Sequence, residues 1–268
     1  MKENRGCAGI DGVSLEEFAQ RLNENLKQLK GELENKSYKP LRLLKVLIEE
    51  DGNKRALAIP TVRDRVAQTA VYQVIEPLFE KEFEECSFGY RKNRSVKIAV
   101  YRIQELRDKG YRWVMDADVD SFFNNIDHSL LFQKIEKIIS DPDILGLIQM
   151  WVKAEVFDNG AIYKMEKGIP LGSVISPLLA NLFLDELDEK LMEEGFKLVR
   201  YADDFLVLCR DPDRANEALE VTDEILSALE LRLNLKKTKV TSFDFGFKFL
   251  GVIFLKSLIM ESKNRDWD

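Results

Sequence analysis

A pair of adjacent aspartates, Asp203 and Asp204, is the first feature of this sequence that could do chemistry. The pair lies between FKLVRY (196–201) and FLVLC (205–209), two apolar runs that predict strands joined by a tight hairpin. Two carboxylates at the edge of a buried core repel each other and are costly unless a cation neutralises them. A plainer interpretation stays open, because Asp is also a common turn former.

A second acidic group is centred on Asp118, at the end of the predicted strand 111–119, with Asp116 and Asp120 on either side. Alternation along a strand places residues two apart on one face. If this strand neighbours the hairpin, Asp118 meets the aspartate pair and forms an oxygen-rich site for magnesium. Two such ions about 4 Å apart suit in-line phosphoryl transfer.

The elements that must position these acids alternate irregularly along the chain, which favours an α+β fold over a doubly wound sheet. Other strands are predicted at 41–48, 54–59, 161–165, 239–243 and 247–254, with a hairpin turn at Asp51-Gly52. Helices are predicted from Ser14 to near Ser37, from Thr61 to an interruption at Pro77, after Ser95, on both sides of Asp141-Pro142, from Ser176 and over 214–231.

The composition is that of an ordinary globular protein, with 45% hydrophobic and 32% charged residues in a chain of 268. The sequence predicts neither a membrane span nor a secretory signal. Three widely spaced cysteines are typical of reduced thiols, and we expect a cytoplasmic protein. The one histidine, His128, leaves no His/Cys set for zinc, so metal chemistry must rest on carboxylates.

The net charge of −7 argues mildly against nucleic acid, whose binders usually carry a basic surface. The charge is uneven, however, because segment 88–112 is strongly cationic and segment 186–194 is acidic. A solvated helix face explains either segment equally well.

The block RYADDF (200–205) resembles the catalytic motif of reverse transcriptases. Further blocks resemble the group II intron-type lineage of that family, in the family's order and over nearly the whole chain. They are GIDG (9–12), IPTVRDRV (59–66), SFGYR (87–91), DADVDSFFNNIDH (116–128), GIPLGSVISPLLAN (168–181), KT (237–238) and FKFLG (247–251).

The resemblance implies a right-hand polymerase with fingers and an antiparallel palm sheet. We expect residues 1–110 to form an N-terminal extension and fingers, and 111–268 to form the palm, with fingers elements returning around 130–175. Seventeen residues follow Gly251, which leaves no room for a helical thumb. We therefore expect the thumb to be absent, or to be supplied by a C-terminal extension or a partner.

The resemblance also implies the roles of the acids. Asp118 and Asp203 would ligate two Mg²⁺ ions, for which Mn²⁺ substitutes, Val119 would offer a backbone carbonyl, and Asp204 would complete the site. The implied activity is an RNA-directed DNA polymerase that extends a 3′-hydroxyl on an RNA template.

Several further residues match nucleotide-binding positions of the family. Phe123 matches the aromatic that crowds the sugar 2′ position, although a core phenylalanine is the plain alternative. Lys54 and Arg55 match a basic pair near the triphosphate. Lys237 matches a lysine near the leaving pyrophosphate, a candidate general acid, or else ends a solvated segment. The cations expected on template or primer backbone are Arg63, Arg65, Arg91 and Arg94; His128 is expected to be structural, near a helix start.

The sequence departs from the family pattern at several positions. Leu171 stands where the family usually has a glutamine that touches the nucleotide, and leucine cannot donate a hydrogen bond. Glu49 and Glu50 lie where a lysine is common, and Ala56 replaces a common proline. Fidelity, nucleotide affinity or activity itself is therefore expected to differ from the family's.

The partners implied are an RNA template, a DNA or RNA primer and deoxynucleoside triphosphates. The end of the sequence looks most like reverse transcriptases of CRISPR adaptation, which implies a CRISPR integrase complex or a fused C-terminal domain as partner. The main alternative is a maturase-like RNA-binding palm module with vestigial catalysis. A nucleotidyl cyclase is weaker, since it has no need of basic fingers blocks.

Overall fold

The computed structural model describes residues 7–50 and 53–261. Their contacts divide the chain into two compact units. The first contains the N-terminal residues as far as Phe79, together with Ile126–Leu179. The second contains Glu80–Asn125 and the chain from Ala180 onward.

The described elements alternate between helices and strands without a repeating order. The helices are α1 (Leu15–Gln20), α2 (Leu22–Glu34), α3 (Val62–Phe79), α4 (Val96–Asp108), α5 (Phe122–Asn125), α6 (His128–Ile138), α7 (Pro142–Val152), α8 (Ser176–Glu193) and α9 (Pro212–Ala228). The strands are β1 (Leu43–Glu50), β2 (Asn53–Ile59), β3 (Trp113–Asp118), β4 (Val156–Asp158), β5 (Ala161–Tyr163), β6 (Lys197–Tyr201), β7 (Asp204–Cys209), β8 (Lys239–Ser242), β9 (Phe247–Phe249), β10 (Val252–Leu255) and β11 (Leu258–Glu261).

The first unit has a four-stranded sheet in the order β2-β1-β4-β5. Strands β1 and β2 form the predicted antiparallel hairpin, in which Leu44 pairs with Ile59. Its predicted turn, Asp51-Gly52, lies outside the described residues. The short strand β4 pairs with β1 in parallel, and sequence reasoning missed it.

A buried polar network lies among the helices of the first unit. The Tyr38 hydroxyl donates to Asp64 Oδ1 at 2.7 Å and accepts from Trp151 Nε1 at 3.0 Å. Thr61 Oγ1 and the Leu41 amide donate to the other Asp64 oxygen, at 2.8 and 3.0 Å. Because each buried oxygen of Asp64 has a donor, this carboxylate joins α3 to the chain that leads into β1.

The second unit has a fully antiparallel sheet in the order β6-β7-β3-β8. Helix α4 packs on β6 and β7, and α9 packs on β3, β7 and β8. Five of the six residues of β7 are buried, as expected for a strand covered on both faces. The apolar runs of the sequence are therefore the centre of this sheet.

A second sheet of this unit, in the order β11-β10-β9, closes the same core. Phe247 and Phe254 stack with ring centroids 5.1 Å apart, and Phe243 meets Phe247 edge to face at 5.1 Å. These rings are almost fully buried and pack with the inner face of α4, including Ile103. Aromatic burial of this kind is a main source of stability for the unit.

Three predictions about the elements require correction. The expected long N-terminal helix is divided at Arg21, whose φ of −118° and ψ of 37° are not helical. Helix α3 continues through Pro77 and ends two residues later at Phe79; the proline removes one helical hydrogen bond near the end of the helix. The predicted strand 247–254 is two antiparallel strands, β9 and β10, in which Phe247 pairs with Phe254.

The start of α6 agrees with the sequence. His128 is the first helical residue after the N-cap Asp127, and its Nε2 lies 2.6 Å from the carbonyl oxygen of Gly168. Its predicted structural role near a helix start is confirmed. In the part of the chain that the structure describes, no helix has the length and hydropathy needed to cross a membrane.

The Tyr38 network predicts a measurable loss of stability. Tyr38→Phe should lower the free energy of unfolding by about 1–3 kcal/mol, because Asp64 and Trp151 each lose a buried partner. Urea denaturation followed by tryptophan fluorescence measures the change. Tyr101→Phe, at a side chain that is 59% exposed, is the control and should be neutral; equal effects of the two variants would contradict the assignment.

Candidate active site

The acidic turn lies at the shared end of two central strands. Tyr201 and Asp204 pair across β6 and β7, so that Ala202 and Asp203 form the connection between them. Asp118, the last residue of β3, pairs directly with Asp204 of β7. The predicted neighbourhood of the two acidic groups is therefore confirmed: opposite residues in a sheet have Cβ atoms about 5 Å apart.

A lysine and an asparagine hold the Asp118 carboxylate. Lys237 Nζ lies 3.1 Å from both of its oxygens, and Asn234 Nδ2 donates to Oδ2 at 3.1 Å. The backbone N–H of Asn234 also donates to the backbone carbonyl oxygen of Asp118 at 2.8 Å. Sequence reasoning singled out Lys237 but missed Asn234, which lies three residues earlier in the same segment.

The backbone of Val119 is held at the same place. Val119 forms a β-bridge with Leu233, and its side chain is buried. The segment that carries Asn234 and Lys237 therefore runs beside the end of β3 and the residues just after it.

The acidic cluster holds more carboxylates than cations, and this shifts the pKa values of several of its groups. Although Asp204 reaches the surface, protein atoms around its carboxyl displace water and raise its pKa to about 7; the charge of Asp203 and a hydrogen bond with Asp118 add to the shift. The hydrogen bond that Lys237 donates to the Asp118 carboxylate raises the pKa of Lys237. Burial raises the pKa of Asp116, which Lys239 partly offsets.

The donor set fits a hard divalent cation in its chemistry. Carboxylate oxygens from two adjacent strands face each other, and one of them favours a proton near neutral pH. Among residues 7–50 and 53–261, however, no three His, Cys, Asp or Glu side chains are already arranged as a metal site. The described residues therefore show no preassembled three-carboxylate sphere, and the ammonium of Lys237 contacts the Asp118 carboxylate.

Phe123 is in α5, a single turn that follows β3 closely. Its side chain is 6% exposed and meets Phe122 edge to face, with centroids 5.4 Å apart. Phe122 in turn packs against Phe183. The ring is therefore fixed near the acidic strand end.

The Gly168–Gly172 loop is tied to neighbouring elements of the first unit. The Ala58 amide of β2 donates to the Leu171 carbonyl oxygen at 2.7 Å. The buried Gln68 accepts from Ser173 Oγ at 2.9 Å and from the Val174 amide at 3.0 Å. The backbone position of Leu171 is thus fixed on both sides.

The cations expected to bind nucleic acid or nucleotide differ in their surroundings. Lys54 and Arg55 lie exposed on β2. Arg63 pairs with Glu32 and lies over the Tyr38 ring, and Arg65 is buried, with Nη2 donating to the Cys7 carbonyl. Arg94 lies over the Phe88 ring.

Arg91 requires a correction. Its side chain is 4% exposed, and its guanidinium donates to the Glu80 carboxylate and to the carbonyls of Phe83 and Ser87. A guanidinium has five donors in a fixed plane, and the protein already engages them. Arg91 therefore stabilises the loop before α4 instead of contacting a phosphate.

A sheet whose strand ends bring carboxylates face to face is the arrangement that nucleotidyl-transfer enzymes require. A family model described as reverse transcriptase (RNA-dependent DNA polymerase) matches residues 47–254. The chain therefore belongs to the reverse transcriptase family.

The chain is similar to two curated relatives and to one solved structure. Protein YkfC of Escherichia coli is 33% identical over 283 residues, which cover 91% of this chain and 74% of YkfC. The group II intron-encoded protein LtrA of Lactococcus lactis is 34% identical over 204 residues, which cover 75% of this chain and 33% of LtrA. The predicted resemblance to the group II intron-type lineage is confirmed.

Telomerase from Candida albicans, solved with a fragment of telomeric RNA, superimposes with a TM-score of 0.68 over 92% of this chain and 49% of that chain. At 14% identity this similarity shows a common fold. The chain spans about three quarters of YkfC and one third of LtrA.

The raised pKa of Asp204 predicts a pH-dependent stability. The folded chain binds this proton more tightly than the unfolded chain, so stability falls as pH rises from about 4 to about 7. Asp204→Asn removes the ionisation, and its melting temperature should exceed that of the wild type at pH 8 but not at pH 4. Calorimetry with EDTA measures both, with exposed Asp223→Asn as control. The same change at both pH values would contradict the assignment.

Proposed function

We propose that the chain is an RNA-directed DNA polymerase that adds deoxynucleotides to a primer by two-metal nucleotidyl transfer. The observation that supports it most is the pairing of Asp118 with Asp204 across β3 and β7, with Asp203 next to it. Membership of the reverse transcriptase family supplies the reaction class. A pair of Mg²⁺ ions, when bound, lowers the pKa of the attacking hydroxyl and neutralises charge on the phosphates.

The chain's own residues then have distinct tasks. Asp118 and Asp203 bind the cations, Val119 adds its carbonyl oxygen, and Asp204 completes the negative charge. Lys237 contacts Asp118 in this structure; with cations held by that carboxylate, its ammonium would be free to donate a proton to the leaving pyrophosphate. Lys54 and Arg55 bind the triphosphate as exposed cations of β2.

Phe123 selects the sugar in this proposal. The ring, which contacts Phe122 and follows Asp118 closely along the chain, would crowd the ribose 2′-hydroxyl of a bound nucleotide. Leu171 matches the family position that touches the nucleotide, and its side chain cannot donate a hydrogen bond there.

The proposed partners are an RNA template, a DNA or RNA primer and deoxynucleoside triphosphates. Arg63, Arg65 and Arg94 are the remaining candidates for backbone contacts; Arg63 and Arg94 are half-buried, and Arg65 is buried. Association with a CRISPR integrase complex or a fused C-terminal domain, and a cytoplasmic location, stay predictions. The maturase-like alternative keeps the same fold but requires no metal at Asp203.

Asp203→Asn tests the catalytic proposal. Primer extension on an RNA template with Mg²⁺ should fall at least about 1,000-fold, because one ligand of the cations loses its charge. Circular dichroism should show an intact fold, and Asp223→Asn should keep wild-type activity. Extension by the Asp203 variant at the wild-type rate would contradict the proposal and favour the maturase-like alternative.

Phe123→Ala tests sugar selection. The variant should incorporate ribonucleotides at least about tenfold better relative to deoxynucleotides, since the steric block is removed. Single-nucleotide extension with matched dNTP and rNTP measures the ratio of kcat/KM values. Phe122→Leu, which changes the neighbouring ring, is the matched control for core packing. Unchanged discrimination in Phe123→Ala would mean that Phe123 only packs the core.

A further inference from the structure

The turn that carries Asp203 has a strained backbone. Ala202 has a φ of +60°, a left-handed value that costs a non-glycine residue about 1 kcal/mol or more. A two-residue connection has little conformational freedom, so the direction of both carboxylates depends on this residue. Such strain persists only where the surroundings over-determine the conformation.

A fully buried arginine holds the turn from one side. Arg200 of β6 has no solvent exposure, and its Nη1 donates to the Ala202 carbonyl oxygen at 3.0 Å. The same nitrogen donates to Asn181 Oδ1 at 2.9 Å. Its Nε and Nη2 donate to the two carboxylate oxygens of Asp188 in α8. The Asp188 side chain is also fully buried.

A glycine closes the turn from the other side. Asn181 Nδ2 donates to the Gly89 carbonyl oxygen at 2.7 Å. A Cβ added at Gly89 would lie 2.5 Å from the Ala202 amide nitrogen and 3.1 Å from the Tyr201 carbonyl carbon. Asn181 therefore connects the two contacts of the turn, one a hydrogen bond from Arg200 and the other a backbone approach by Gly89.

Stability alone is a weak reason for this arrangement. Desolvation of a buried ion pair offsets most of its attraction, and an apolar pair of similar volume is often as stable. An apolar pair, however, has no donor for the Ala202 carbonyl. The feature that an apolar pair cannot replace is the hydrogen bond to the strained turn.

We propose that Arg200, oriented by Asp188 and Asn181, is a positioning residue that fixes the Ala202 carbonyl and so the direction of the Asp203 and Asp204 carboxylates. Gly89 also positions the turn, because without a side chain its backbone packs directly against the backbone of Tyr201 and Ala202. The inference deepens the proposed polymerase activity and rests on it for its kinetic readout only. Loosening the turn should slow the chemical step without weakening nucleotide binding.

The experiment replaces the ion pair with an apolar pair, Asp188→Leu with Arg200→Met. Urea denaturation should show a folded protein that is less stable than the wild type only because Asn181 Oδ1 and the Ala202 carbonyl lose their donor. Under saturating primer–template, kcat should fall about 100-fold while KM for the nucleotide changes less than about threefold, since displacements near 1 Å have effects of that size. Arg107→Met, at a largely buried arginine of α4 that pairs with Asp108, is the matched control and should keep kcat.

A second variant approaches the turn from the opposite side. Gly89→Ala should give the same loss of kcat with an unchanged KM, because its Cβ displaces Ala202. Both variants should also weaken Mn²⁺ binding to the nucleotide-free protein at least tenfold, as measured by electron paramagnetic resonance. This binding readout does not depend on turnover and remains decisive if the double variant is less stable than expected.

The outcomes separate the two proposals. Wild-type kcat and Mn²⁺ affinity in the folded double variant would overturn the positioning role, as would an equal loss of kcat in Arg107→Met. Absence of any extension by the wild-type chain contradicts the proposed polymerase alone. In that case weaker Mn²⁺ binding in both turn variants still supports positioning, and unchanged Mn²⁺ binding still overturns it.

Discussion

The pairing of β3 with β7 is the constraint on which the site depends. Its register puts Asp118 opposite Asp204, and a slip of one residue would turn the side chains of a strand to the other face. The register is held by burial: Phe205 to Cys209 of β7 are all buried, and on one face of the sheet Leu206 and Leu208 pack with Val114 of β3. Apolar packing therefore forces two acidic groups together that would otherwise repel each other.

Three features of the surroundings reduce the repulsion between these carboxylates. Lys237 binds Asp118, a proton is favoured on Asp204, and Lys239 faces Asp116. In the proposed function, divalent cations would take the place of the Lys237 ammonium and of the Asp204 proton. The buried pair of Arg200 and Asp188 differs from these three features, because its two charges neutralise each other away from solvent. Nη1 of Arg200 is then available to donate to the Ala202 carbonyl of the turn.

The sequence predicted the central strands of the second unit, the tight acidic turn and the neighbourhood of the two acidic groups, because long apolar runs and a two-residue connection leave few alternatives. It did not predict the break at Arg21, since no Gly or Pro marks it. The role of Arg91 was wrong because a cationic run indicates exposure only on average, whereas Glu80 draws this guanidinium inward. Asn234 and the Arg200 network depend on contacts between distant segments, which spacing along the chain does not reveal.

The central claim is that divalent cations bind between Asp118 and Asp203 during nucleotide addition. A crystal structure with an RNA template, a DNA primer that lacks its 3′-hydroxyl, a deoxynucleoside triphosphate and Mn²⁺ tests it most directly. The account predicts anomalous peaks within about 2.5 Å of both carboxylates, with Lys237 Nζ displaced from Asp118. A bound nucleotide with no Mn²⁺ at these oxygens, and with Lys237 still on Asp118, would contradict it.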